Sequence, residues 1–145
     1  MTDTRWNMTA DTFRVLEFCN SITYLPESAG MKAVGLERDG KLVAGVIYEG
    51  FNGQNVWVHL MAEPGSRWMT RDYLRYCFHY PFNEMGVKRI SGYVNASNLA
   101  ARRVNEHFGY KQEAVLSGAA PDGGDVILYV MWRDDCRFLG ESHGR

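Results

Sequence analysis

The sequence has no hydrophobic run long enough to cross a membrane, and its first residues have neither the basic nor the apolar region of a secretion signal. Cysteine is scarce: Cys19, Cys77 and Cys136 are far apart and odd in number, which suits neither a disulfide framework nor a zinc motif. No basic block stands out, and the formal net charge is -1. We therefore expect a cytoplasmic protein with reduced thiols that uses no metal, membrane or nucleic acid.

The sequence does contain enough apolar material for one core. Of its 145 residues, 46% are hydrophobic and 13% are aromatic, and no repeat, linker or low-complexity stretch divides them. We therefore predict a single domain that spans residues 1–145.

Three stretches rich in β-branched and aromatic residues predict an antiparallel meander. The three strands are residues 31–38, 41–49 and 55–62. The pairs Asp39-Gly40 and Asn52-Gly53 separate them, and both are dipeptides that readily form tight hairpin turns. The third stretch carries bulky side chains on both faces, so we predict that it is a central strand covered by helices.

Apolar residues at helical spacing predict three helices. The first lies around residues 10–19, and its predicted buried residues are Phe13, Leu16 and, more loosely, Val15 and Phe18. The second lies within residues 66–85, and Pro81 should loosen its last turn because proline has no N–H to donate. The third follows Asn98 and ends at Gly109, and its predicted buried stripe is Ala101, Val104 and Phe108.

Three further strands complete the predicted order. They are residues 87–95, 110–117 and 125–132. The fold class is therefore α+β (mixed α/β): a mostly antiparallel, twisted central sheet of six to seven strands flanked by helices, with a strand-helix-strand unit at its centre.

The segment NLAARRVNEHFGY places Asn98, Ala101, Gly109 and Tyr110 in a pattern that resembles the GCN5-related N-acetyltransferase (GNAT) superfamily. The segment YPFNEMGVKRISGYV, residues 80–94, is similar to the branch that acetylates ribosomal-protein amino termini, and the short chain also resembles phage and prophage members. The resemblance covers residues 29–139 and implies the GNAT fold with acetyl-CoA as cosubstrate.

The resemblance also implies where acetyl-CoA binds. The implied cofactor contacts are Leu60, Met61, Ala62, Arg67, Trp68, Met69, Thr70, Arg71, Asn98 and Ala101. Taken alone, Asn98 is interpreted as a helix cap, whereas the pattern through Gly109 and Tyr110 favours a cofactor contact, and one side chain can serve both purposes. Trp68 and Thr70 stand where the family usually has glycines, whereas Arg67 and Arg71 suit phosphate groups.

For catalysis, the resemblance leaves several candidates open. His59 and Glu63 are candidates for the base that accepts a proton from the amine, and we expect Glu63→Gln to reduce activity more than His59→Gln. Asn105 and Ala101 occupy the places where the family's usual acids stand. The leaving thiol has a pKa near ~8.5, so water, Tyr93 or Tyr129 would suffice as the acid.

These observations predict an acetyl-CoA-dependent N-acetyltransferase, an acyltransferase that acts on a primary amine by direct attack in a ternary complex. The acceptor is either a protein amino terminus or a small amine, and a homodimer is compatible with the sequence. Two alternatives stay open: a catalytically silent acyl-CoA-binding or interaction module of the same fold, and a phage enzyme that acylates a nucleobase. The charge of -1 supports the second alternative poorly.

Overall fold

The computed structural model describes residues 5–139, which form one seven-stranded sheet with helices on both faces. The strands are β1 (Trp6–Thr9), β2 (Lys32–Arg38), β3 (Lys41–Glu49), β4 (Asn55–Ala62), β5 (Arg89–Asn95), β6 (Lys111–Leu116) and β7 (Val126–Trp132). Their order across the sheet is β1-β2-β3-β4-β5-β7-β6, in which β4 and β5 are parallel and the other neighbours are antiparallel. The predicted fold class and the central place of β4 are confirmed.

Three α-helices connect and cover the sheet. They are α1 (Thr12–Asn20), α2 (Arg71–His79) and α3 (Leu99–Phe108), and a π-helical turn (Tyr80–Glu84) continues α2. Strand β1 was not predicted, because four residues with two exposed polar or flexible side chains carry little strand signal. Its Trp6 ring packs against the Arg38 guanidinium, 4.6 Å from the ring centroid. No helix within residues 5–139 is long and apolar enough to span a bilayer.

Helix α1 packs close to the sheet because two glycines face it. A Cβ added at Gly35 or Gly45 would lie 2.7 Å from a methyl group of Val15. Val15 is therefore fully buried, together with Cys19, whereas Phe13 is 67% exposed. The prediction that Phe13 is buried is wrong, because the close approach to the glycines sets the rotation of the helix.

The end of α2 is loosened at Pro81, as predicted, and takes the form of a π-helical turn. Proline at position 81 has no N–H to donate to the Cys77 carbonyl four residues earlier. The buried Tyr48 hydroxyl donates to that carbonyl instead, at 2.6 Å. A side chain of β3 thus satisfies the backbone group that the proline leaves open.

The two predicted hairpin turns differ. Asp39 and Gly40 both have positive φ angles, as a tight turn requires. The other connection is a five-residue loop, residues 50–54, in which the Asn52 side chain accepts hydrogen bonds from the N–H groups of Gln54 and Asn55. Helix α3 ends at Gly109 with a φ of 104°, as predicted.

The core has two parts, one on each face of the sheet. The larger part lies beneath α2 and α3 and includes Tyr48, Phe78 and Phe108. The smaller part lies beneath α1. All three cysteines are free thiols, and burial raises the pKa of Cys19 and of Cys77 to about 12.

Candidate active site

The candidate site begins where β4 and β5 stop pairing. Three positions of β4, Asn55–Trp57, pair with three of β5, and the Ser91 hydroxyl donates to the Asn55 side chain at 2.6 Å beside them. The register extends no further toward Ala62, although β4 continues to that residue. Because the two strands separate, a gap opens in the middle of the sheet.

A cavity of about 460 Å³ passes through this gap and is lined from both faces of the sheet. On the face beneath α2 and α3 it is lined by residues that include Val58, Leu60, Trp68, Phe78, Asn98, Ala101, Val104 and Phe108. On the α1 face it is lined by Ile22, Thr23, Tyr24, Leu25, His59, Met61 and Tyr93. Two molecules that enter from opposite faces can therefore meet inside the sheet.

Backbone groups of β4 face the gap. The Glu63 N–H donates to the Val43 carbonyl of β3 at 2.8 Å, so by alternation the odd-numbered residues of β4 direct their backbone groups toward β3. Leu60 and Ala62 consequently direct their N–H and C=O groups toward the gap. Such N–H groups are suitable donors to an oxygen that gains negative charge during acyl transfer.

His59 lines the cavity on the α1 face, and its ring contacts a carboxylate. Its Nε2 is 2.5 Å from Glu49 Oε2, its ring meets the Tyr93 ring edge-on with centroids 5.5 Å apart, and its side chain is 9% exposed. When Nε2 donates to Glu49, Nδ1 is the atom that can accept a proton. A histidine oriented by a carboxylate is a common arrangement for a general base.

Glu49 was missed by the sequence analysis, although the hairpin register contains the signal. In the β3–β4 pair, His59 lies opposite Ile47, and Glu49 is two residues further along β3, on the same face. Finding it requires the correct length of the loop between the two strands. Glu63, the other predicted base, is exposed and is not among the residues that line the cavity.

The two candidate acids differ in position. Tyr93 lines the cavity and is 50% exposed. The structure does not bring Tyr129 to the site: it is buried, and its hydroxyl donates to Glu106 at 2.9 Å. Burial raises the pKa of Tyr129, and the bond to Glu106 raises it further.

Asn98 caps α3, as one of the two interpretations of the sequence predicted. Its Oδ1 accepts from the Ala101 N–H at 3.1 Å, and both residues line the cavity. The cap uses the side-chain oxygen. The amide nitrogen is the part of the side chain that could donate to a bound molecule.

The turn before α2 does not form the glycine-rich loop that is usual in the family. Thr70 caps the helix, accepting from the Tyr73 N–H at 3.3 Å, and its own N–H donates to the Trp68 carbonyl at 2.7 Å. The Trp68 ring packs edge-on against Phe108 and lines the cavity. Arg67 and Met69 are exposed and lie outside the cavity lining.

Arginines form a second cavity beside this turn. It measures about 410 Å³ and is lined by Arg71, Leu74, Arg75, Arg137 and Phe138. Within residues 5–139, none of its three guanidinium groups forms an ion pair with a carboxylate. Leu74 also lines the first cavity, so the two adjoin. Of these arginines, only Arg71 was predicted.

Residues 5–139 contain no group of three or more His, Cys, Asp or Glu side chains placed to hold a metal ion.

Comparison with solved structures identifies the fold. The chain is similar to a mutant spermidine N-acetyltransferase from Vibrio cholerae, with a TM-score of 0.75, 15% identity, and coverage of 95% of this chain and 98% of that one. A dodecameric structure of the spermidine N-acetyltransferase from Vibrio cholerae has a TM-score of 0.76 and 14% identity, with coverage of 97% of this chain and 99% of that one. The complex of that enzyme with CoA and spermine has a TM-score of 0.73 and 13% identity, with coverage of 92% of this chain and 98% of that one. The fold is that of the GNAT acyl-CoA N-acyltransferases, as the sequence predicted. No family model matches the sequence, and no curated protein matches it.

Proposed function

We propose that the protein is an acetyl-CoA-dependent N-acetyltransferase that acts on a primary amine. The observation that carries this proposal is the cavity through the gap between β4 and β5, which has the carboxylate-supported His59 on one face and Asn98 on the other. An acyl transfer between two bound molecules needs such a meeting point, because holding both reactants in place can supply about 7–11 kcal/mol of the barrier reduction.

The residues present suit acetyl-CoA as the acyl donor. The apolar lining beneath α2 and α3 suits the pantetheine arm, and the Asn98 amide can donate to it. Within residues 5–139, Arg71, Arg75 and Arg137 form no ion pair with a carboxylate, so their guanidinium groups suit the phosphates in place of the glycine-rich loop. Acetyl-CoA supplies the thioester, and the protein supplies position, hydrogen bonds and a proton acceptor.

The proton of the amine goes to His59 in this scheme. Glu49 holds the ring so that Nδ1 can accept the proton, while the N–H groups of Leu60 and Ala62 donate to the carbonyl oxygen. The new N–C bond forms as the C–S bond breaks. The thiol leaves as thiolate and takes a proton from water or from Tyr93.

The finer parts of the proposal rest on the sequence. The acceptor is either a protein amino terminus or a small amine, and the resemblance of residues 80–94 suggests the branch that acetylates ribosomal-protein amino termini. A cytoplasmic location and a homodimer are likewise proposals, and light scattering of the purified chain tests the homodimer.

Turnover is the direct test. The protein is incubated with labelled acetyl-CoA and a panel of primary amines and short peptides, and both free thiol and labelled amide are measured. We expect stoichiometric release of thiol and amide. His59→Gln serves as the matched control, since it keeps the size of the side chain but loses the basic ring nitrogen.

Calorimetry with coenzyme A separates the alternatives. Heat of binding without turnover of any amine favours the silent acyl-CoA-binding module. The absence of both heat and thermal shift at millimolar coenzyme A contradicts the proposal. Labelling of an added nucleoside instead of an amine supports the nucleobase alternative.

A further inference from the structure

The lining of the cavity has no fixed charge. Among the described residues that line it, none is Asp, Glu, Lys or Arg, and His59 is the one histidine. On the α1 face, where the acceptor enters in the proposed function, the lining is mostly aromatic and aliphatic, with Thr23 and His59 as its polar members. Tyr24 is 80% exposed there, Tyr93 is 50% exposed and Ile22 is 43% exposed.

The segment that carries Tyr24 is held in place by Asn20. Asn20 donates to the Leu25 carbonyl at 3.0 Å and accepts from the Leu25 N–H at 2.7 Å. The Ile22 and Thr23 N–H groups both donate to the Cys19 carbonyl at the end of α1. The exposed aromatic ring therefore sits on a fixed segment at the mouth of the cavity.

The carboxylate nearest to His59 is already engaged. Glu49 contacts His59 through Oε2 and accepts from the Ser28 hydroxyl through Oε1 at 2.8 Å. Both of its oxygens have partners, and Glu49 is not among the residues that line the cavity. A second ammonium group on the acceptor would therefore lie against lining residues that include no Asp or Glu.

We infer that the acceptor is an amine with one ammonium group on an apolar or aromatic body, and that polyamines are poor acceptors. This inference rests on the proposed function. The amine that reacts loses its charge to His59, but every other ammonium of a polyamine stays charged, since its pKa is near ~10.4. A charge that enters an apolar site without a partner is strongly disfavoured. An apolar body instead gains contact with Tyr24, Tyr93 and Ile22.

A matched pair of acceptors tests this inference. Hexylamine and hexane-1,6-diamine have the same chain and differ in the terminal ammonium. We expect kcat/KM for hexylamine to exceed that for the diamine by about tenfold or more, after allowance for two reactive ends. 2-Phenylethylamine should match or exceed hexylamine, and spermidine should be no better than the diamine. Equal or greater kcat/KM for the diamine or spermidine overturns the inference.

A charge placed at the mouth should reverse the preference. Thr23 is exposed and lines the cavity, so Thr23→Glu adds a carboxylate without disturbing the core. We expect Thr23→Glu to shift the diamine-to-hexylamine ratio by about fivefold in favour of the diamine, as one partly exposed ion pair would. Thr23→Gln, the uncharged control, should keep the wild-type ratio. An equal shift in both variants contradicts the inference.

Binding measurements keep this inference distinct from the proposed function. The two amines are titrated into protein saturated with coenzyme A. If hexylamine binds more tightly than the diamine but neither is acetylated, the ligand class stands and the enzymatic proposal fails. If the amines are acetylated without discrimination, the enzymatic proposal stands and the ligand class is wrong. Failure of both amines to bind overturns both.

Discussion

Strand β5 has two very different edges. Along β7 it is paired at all seven positions from Arg89 to Asn95, whereas along β4 it is paired at three. On the first edge the backbone groups satisfy one another inside the sheet. On the second, backbone groups of β4 face a cavity, and His59 stands beside them. The candidate site therefore lies where the pairing of β4 with β5 ends after three positions.

This comparison separates two kinds of residue. Residues in the fully paired part of the sheet and its core should control stability and leave the rate per folded molecule unchanged. Residues at the open edge should affect turnover more than stability, because they face the cavity. The following substitutions test that separation, beginning with the largest expected effect.

His59→Gln should remove the proposed general base at the open edge while leaving the fold intact. We expect kcat/KM to fall by about 10²–10⁴-fold, the range for one general base, with little change in melting temperature. Steady-state kinetics and a thermal melt measure the two quantities. This reverses the order expected from the sequence, where Glu63 ranked first, because Glu63 lies outside the cavity lining.

Two further variants check the assignment to His59. Glu63→Gln should keep kcat/KM within about twofold, since an exposed carboxylate contributes little. Glu49→Gln keeps the shape of the partner but removes its charge, so the loss of kcat/KM should be smaller than that of His59→Gln and larger than that of Glu63→Gln. If Glu63→Gln costs more than His59→Gln, the base is wrongly assigned.

Tyr48→Phe should lower the stability of the fold. The change leaves the buried Cys77 carbonyl without the hydroxyl that satisfies it at 2.6 Å, which costs about 1–3 kcal/mol of unfolding free energy. Chemical denaturation measures this loss, and kcat per folded molecule should not change.

Pro81→Ala gives the matched control for that prediction. It restores an N–H four residues after Cys77, so the double variant with Tyr48→Phe should lose less stability than the sum of the two single variants. Additive losses would show that the hydroxyl and the proline do not act on the same carbonyl.

The same division describes what the sequence could predict. Local patterns predicted the extents of β2, β3 and β4 closely, the loosened turn at Pro81 and the end of α3 at Gly109, because periodicity and backbone chemistry act within a few residues.

Features that depend on distant residues were not predicted. The contact between Glu49 and His59 needs the register of a hairpin whose loop is longer than the Asn52-Gly53 pair suggests. The rotation of α1, which exposes Phe13, depends on glycines in β2 and β3. Likewise, Arg137 joins Arg71 and Arg75 only in the folded chain.

Ser91→Ala tests the boundary between the two edges. The Ser91 side chain is buried, donates to Asn55 at 2.6 Å and accepts from Arg89 at 3.2 Å, and Ser91 is the last position of β5 that pairs with β4. We expect a loss of about 1–1.5 kcal/mol of stability with a fall in kcat/KM of less than tenfold. Ser97→Ala, which removes an exposed hydroxyl, is the control. A loss of activity without loss of stability would place Ser91 in the site itself.

Asn98→Asp is the smallest and most selective change at the open edge. An aspartate can accept from the Ala101 N–H as asparagine does, and a negative charge suits the start of a helix, so stability should change by less than about 0.5 kcal/mol. The substitution removes the amide donor, and affinity for acetyl-CoA should therefore fall by about fivefold, measured by calorimetry. Asn98→Ala, which removes the cap as well, should lose about 1 kcal/mol of stability in addition. If Asn98→Asp binds acetyl-CoA with unchanged affinity, Asn98 serves only as the helix cap. The cofactor contacts at the open edge would then be assigned to β4 and the arginines.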